Sequence, residues 1–209
     1  MTQPNKSFAA STPDIAGQET RLTGDEPVEA EPPQTTLSLW VDVVLDDDDD
    51  DWSAFGDAPS AVRAAASAVA ACPSLEIGRA EATVALSTDA EVAALNSQFR
   101  GKHQPTNVLS FPAAQLREGL PLMGMPLDEG RRPLGDIILA RETILMEAID
   151  LELPPVHHLQ HLVVHGLLHL LGYEHIADDQ ALVMEALETR ILSVLGITDP
   201  YAEPNAGDA

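Results

Sequence analysis

Cysteine is nearly absent from this chain. Cys72 is the only one in 209 residues, so no internal disulfide can form and a reducing compartment is expected. Aromatic residues make up only 4%, which leaves Leu, Val, Ile and Ala to fill the core. No apolar run reaches the ~20 residues that a bilayer crossing needs. The opening stretch MTQPNKSFAASTPDIAGQET has no apolar segment of the signal-peptide kind. A cytoplasmic location with no membrane partner is the expectation. Positive charge is also scarce, with 11 Lys and Arg against 34 Asp and Glu and a net of −23. Phosphate backbones are bound by cations, so this total argues against a general nucleic-acid binder, and no DNA partner is expected.

The distribution of charge says more than its sum. Residues 1–51 hold thirteen acids and two bases, and the run Asp46 to Asp51 supplies nearly half of those acids. Such a run reads as a solvated loop. Residues 100–141 hold six bases (Arg100, Lys102, Arg117, Arg131, Arg132, Arg141) against four acids, the one basic island in the chain.

Residues 1–34 are rich in Pro, Thr, Glu and Gln and read as a disordered tail. Residues 35–201 read as a single domain, with an acidic loop over 46–58, and residues 202–209 as a flexible tail. Within the domain, strands are expected at 35–45, 82–87, 107–111 and 134–140, from β-branched and alternating apolar patterns. Helices are expected at 59–72 with Ser60 as cap, from about 89 behind Ser87, Thr88 or Asp89, at 141–152, from Pro154–Pro155 to Gly172, and from Asp178 or Asp179 to Gly196. A Gly- and Pro-rich loop fills 112–133. The fold class is α+β: a small mixed sheet of about four strands covered by about five helices.

Histidine is where the sequence concentrates. Four of the seven lie in HLVVHGLLHLLGYEH, residues 161–175, with His157 and His158 just upstream. Residues four apart on a helix share a face about 6 Å apart along the axis, so His165 and His169 can point at one ion. His161 and His169 are about 12 Å apart and cannot. Gly172 can end the helix with positive φ and turn the chain so that His175 faces the same point. The pattern H-x-x-x-H-x-x-G-x-x-H suits one zinc ion per chain, with a fourth position left for water, as in catalytic sites. This puts the metal site at the end of a central apolar helix, as in metalloproteases. His157, His158 and His161 read as hydrogen-bonded core histidines. Metzincin proteases share the spacing as HExxHxxGxxH, with Glu as general base; this chain has Gly166 there, which counts against peptide hydrolysis by that route.

A second stretch, LNSQFRGKHQPTNVLSFP (95–112), ends a helix at Gly101 and enters a strand. Arg100 and Lys102 flank the glycine, and arginine offers a planar fork of donors to phosphate. Asn107 and Thr106 are placed to bind a backbone or a base edge. Equally, cations there complement a helix C-terminus, and spacing alone does not separate the two.

HGLLHLLGYEH (165–175), FRGKHQPTNVLSFP (99–112) and LGDI (134–137) together resemble the bacterial YbeY family of rRNA maturation factors, over about 37–201. The resemblance implies a metal-dependent, single-strand-specific endoribonuclease that processes the small-subunit rRNA end and serves ribosome quality control. Single-stranded RNA and the small ribosomal subunit would be its partners. Zinc ligands then fall on His165, His169 and His175, and the arginine implicated in activity on Arg100. Lys102, Asn107, Arg131 and Arg132 are candidates to hold the strand. Glu174 stands where the family often has Asp, and is a candidate to support the ligands or take a proton; Asp136 is a candidate buried acceptor behind them. Two other classes stay open: another metal-dependent, protease-like hydrolase, and a non-catalytic assembly factor with structural zinc.

Overall fold

The computed structural model describes residues 38–45, 51–113 and 130–202. The expectations for residues 1–34, for the Asp run as far as Asp50, for most of the 112–133 loop and for nearly all of 202–209 lie outside the described residues.

Alternation along the strands sets the architecture. In β2 (Arg79–Ser87), Ala80, Ala82, Val84 and Leu86 are buried while Glu81, Thr83 and Ala85 face the other way. β2 pairs in parallel with β1 (Ser38–Leu45) on one side and with β4 (Arg132–Ala140) on the other. β3 (Val108–Pro112) closes the sheet antiparallel to β4, giving the order β1-β2-β4-β3. Gly135 makes the last pairing possible. A Cβ there would lie 2.1 Å from the Phe111 carbonyl oxygen, and its φ of 129° is one that side-chain-bearing residues avoid.

Five α-helices surround this mixed sheet among the described residues, so the fold is α+β. α1 (Ala58–Ala70) and α4 (Pro155–Leu170) pack on the same sheet face and on each other. Alanine at 58, 61, 65, 66 and 68 lets α1 approach closely. α4 buries Leu159, Leu162, Val163, Val164, Leu167, Leu168 and Leu170 in the main core. α5 (Asp178–Val194) packs outside α4, and α3 (Arg141–Asp150) beside it. α2 (Asp89–Arg100) covers the opposite sheet face over β3 and β4 only, where Val92 meets Leu109 and Ala140.

Several local details differ from the expectation. The cap of α1 is Asp57, not Ser60: Asp57 accepts from the Ser60 backbone N–H at 3.0 Å and from its hydroxyl at 2.7 Å. Thr88 caps α2. Asp178 and Asp179 stand in the first turn of α5 behind Ala177, where they complement the helix dipole rather than cap it. Within 46–58, residues Ser53–Phe55 form a 3-10 turn, and Trp52 and Phe55 are buried in the core with ring centroids 4.8 Å apart. The acidic loop therefore ends earlier than its composition suggests, because two of the chain's few aromatics anchor it.

Candidate metal centre

α4 delivers two histidines to one side of its last two turns. The helix stops as Gly172 takes φ 91°, with the Tyr173 N–H closing on the Leu168 carbonyl at 3.0 Å. The returning chain brings His175 back, and one ring nitrogen each from His165, His169 and His175 lie within 4.8 Å of one another. The three rings have centroids 4.5–5.3 Å apart.

Hydrogen bonding settles which nitrogen each helical ring presents. His165 donates its Nδ1–H to Glu188 Oε1 at 2.8 Å. His169 donates its Nδ1–H to the Tyr173 carbonyl at 2.9 Å. Carboxylate and carbonyl oxygens only accept, so Nδ1 carries the proton and, in the neutral ring, Nε2 carries the lone pair. Those two Nε2 atoms face each other at 3.0 Å. Two lone pairs at that distance repel unless a cation or proton lies between them. Tetrahedral metal sites with bonds of 2.0–2.1 Å place their nitrogen ligands about 3.3 Å apart, close to the separation seen. Burial, then the neighbouring His165, hold the His169 imidazole down at about 4, so it is neutral near pH 7 and available as a ligand. The donor set fits a metal ion.

Glu188 anchors the arrangement from α5. It is 1% exposed and accepts from His165, from His161 Nε2–H at 2.9 Å and from the Tyr201 hydroxyl. Burial pushes its carboxyl up, but the hydrogen bonds from His161, His165 and Tyr201 outweigh this and hold it at about 2. Burial, then its bond to Glu188, push the Tyr201 phenol well up. Glu188 is marked in the sequence only as a charge inside the apolar stripe Met184, Leu187, Ile191, Leu192 of α5.

The histidines open onto a cleft of about 440 Å³ whose lining includes Arg100, Thr106, Asn107, Ser110 and Glu174. Arg100, on the last turn of α2, also borders a second cleft of about 520 Å³ with Lys102, His103 and Gln104. The loop between α2 and β3 is pinned at both ends. Buried Asn96 donates to the Gln104 carbonyl at 2.7 Å. Asn107 donates to Glu147, which in turn accepts from His158 Nε2–H at 2.8 Å.

A family model described as Endoribonuclease YbeY matches residues 57–196. The chain belongs to the YbeY family. A relative from Azorhizobium caulinodans named Endoribonuclease YbeY is 49% identical over 168 residues, covering 80% of this chain and 99% of its own. One of the same name from Rhizorhabdus wittichii is 54% identical over 125 residues, covering 59% of this chain and 72% of its own. A solution structure from Thermotoga maritima matches at TM-score 0.45 and 22% identity over 81% of this chain and 99% of that one, a similarity too low to bear on function.

Not every expected residue joins the site of this YbeY-family chain. Asp136 is exposed rather than buried: Ile137 and Leu139 take the face toward α4, so Asp136 points to the opposite face, beyond the reach of α2. There it borders a different cleft with Trp40, Asp42 and Glu81. Arg131 stacks on Trp40 at 5.0 Å, and Arg132 lies half-buried at the start of β4 beside Gly78; neither lines the histidine cleft. Lys102 borders only the second cleft of the two. Asn107 lines the histidine cleft, with its amide nitrogen committed to Glu147 and its oxygen to the Val108 N–H. Glu174 is exposed, with its carboxylate 3.7 Å from His169 Nδ1. His158 and His161 are hydrogen-bonded to carboxylates, as set out above. Among the described residues no helix is long and apolar enough to cross a membrane.

Proposed function

We propose that this chain is a zinc-dependent, single-strand-specific endoribonuclease that acts in maturation of the small-subunit rRNA end and in ribosome quality control. Three clustered imidazoles and one arginine lining the same cleft carry this reading. Membership of a family whose relatives bear the name endoribonuclease supports it.

His165, His169 and His175 would hold one zinc ion. When bound, the ion supplies Lewis acidity and lowers the pKa of a coordinated water. Arg100 holds the scissile phosphate through paired N–H donors and meets the charge that develops on its oxygens. Glu174, the one carboxylate lining the cleft among the described residues, takes or relays a proton at its exposed carboxylate. Lys102 and His103, across Arg100, receive the strand beyond the cleft. Single strands suit such a wall of side chains because their bases and phosphates are free to splay.

The protease-like alternative meets an obstacle in α4 itself. A Cβ at Gly166 would lie 2.9 Å from Ile137 Cδ1 and 3.2 Å from Ser110 Oγ. The position that bears the metzincin base is packed against the sheet and has no room for a glutamate. The test is cleavage of single-stranded RNA, duplex RNA and casein by the purified protein, with and without chelator. Cleavage of single-stranded RNA alone, abolished by chelator and restored by zinc, is expected. Casein cleavage, or RNA cleavage indifferent to chelator, would overturn the reading.

A further inference from the structure

We propose that Glu188 is the positioning residue of the metal centre: it locks His165 in the Nδ1–H tautomer, aims the Nε2 lone pair into the cleft, and provides the negative charge against which a bound cation is balanced. This rests on the reading that the histidine cluster holds a metal.

The geometry carries the assignment. Glu188 is 1% exposed, yet its partners among the described residues are His161, His165 and Tyr201, with no Lys or Arg ion pair. A buried carboxylate without a cation is costly. Both oxygens are engaged, Oε1 by His165 and Oε2 by His161 and Tyr201. Glu188 does not line the cleft, so it is neither a ligand nor a base. It acts through His165, whose ring transmits its charge to the Nε2 side and raises ligand basicity. A bound dication would be balanced in part by this carboxylate through the His165 ring.

The chain of bonds runs on into the segment after α5. Asp199 accepts from Thr189 Oγ1 at 3.0 Å and from the Tyr201 N–H at 2.9 Å, which fixes the turn that returns Tyr201 to Glu188. The C-terminal end of the described domain is thereby tied to the ligand His165 through one carboxylate.

The experiment uses the full chain, labelled with ¹⁵N-histidine. Long-range ¹H–¹⁵N spectra of the metal-free protein report the tautomer of each ring, and zinc affinity is read by competition with a chelating dye. Wild type should show His165 as Nδ1–H. E188A should release it to the Nε2–H form that free imidazole side chains favour, and weaken zinc binding by about 10–100-fold. E188Q keeps an acceptor oxygen but loses the charge, so it should keep the tautomer and still lose about tenfold in affinity. Y201F should keep the tautomer and lose less than E188Q. An Nδ1–H His165 in E188A, or wild-type zinc affinity in E188Q, would overturn the proposal; if E188A fails to fold, E188Q decides. Failure of the wild type to bind zinc would sink the metal reading separately, and the tautomer spectra would still decide what Glu188 does to His165.

Discussion

Helix α4 carries two sets of histidines with opposite fates. His158 and His161 hand their Nε2–H to carboxylates, Glu147 and Glu188. His165 and His169 hand over Nδ1–H instead and leave Nε2 bare. The residue type and the helix are the same, and the sets are adjacent. What differs is which ring nitrogen the surrounding fold engages. A ring held through Nε2 serves as a structural donor, and a ring held through Nδ1 keeps Nε2 available to a metal. Glu188 serves one ring of each set, so the same carboxylate closes off His161 and presents His165.

The comparison breaks most visibly at the ligands. H165A, H169A and H175A should each lose stoichiometric metal and all metal-dependent RNA cleavage, whereas H161A should keep most of its metal; elemental analysis with a cleavage assay checks this. Next in size is Arg100, which lines the same cleft from α2. R100A should lower cleavage of single-stranded RNA by about 10²–10³-fold at unchanged metal content. R100K should retain part of the rate, because it keeps the charge and loses the fork. Equal rates for R100A and wild type would remove Arg100 from the chemistry.

The clustering of His165, His169 and His175 was legible because it is local. Helical spacing places His165 over His169, and Gly172 announces the turn that returns His175. Gly166 was legible as the loss of a protease base, but its packing against Ile137 and Ser110 required the sheet to be in place. Glu188 was hidden because its partners lie 23 and 27 positions earlier in the chain; only its intrusion into an apolar stripe marked it. Asp136 was misread because alternation in β4 shows that one face is apolar, not how far α2 covers the other. Asp57 displaced Ser60 as a cap by a choice of three residues that helical periodicity does not make. LGDI owes its glycine to β3, whose Phe111 carbonyl occupies the space of a Cβ.

Smaller effects sharpen the contrast. G166A forces a methyl against Ile137 and should destabilise the fold by about 1–3 kcal/mol in denaturant unfolding. H158A removes a buried ring together with its bond to Glu147, and should cost about 0.5–3 kcal/mol without changing metal content. D136N should shift stability by no more than about 0.5 kcal/mol and leave cleavage unchanged; a large loss of activity would return Asp136 to the site.

If the fold makes ligands of the downstream histidines and structural donors of the upstream ones, metal content must follow the downstream set. Elemental analysis of wild type, H158A and H175A, purified side by side in the presence of zinc, tests it most directly. About one metal ion per chain is expected in wild type and in H158A, as a single three-histidine site requires, and close to none in H175A. Full occupancy in H175A, or metal lost from folded H158A, would contradict it.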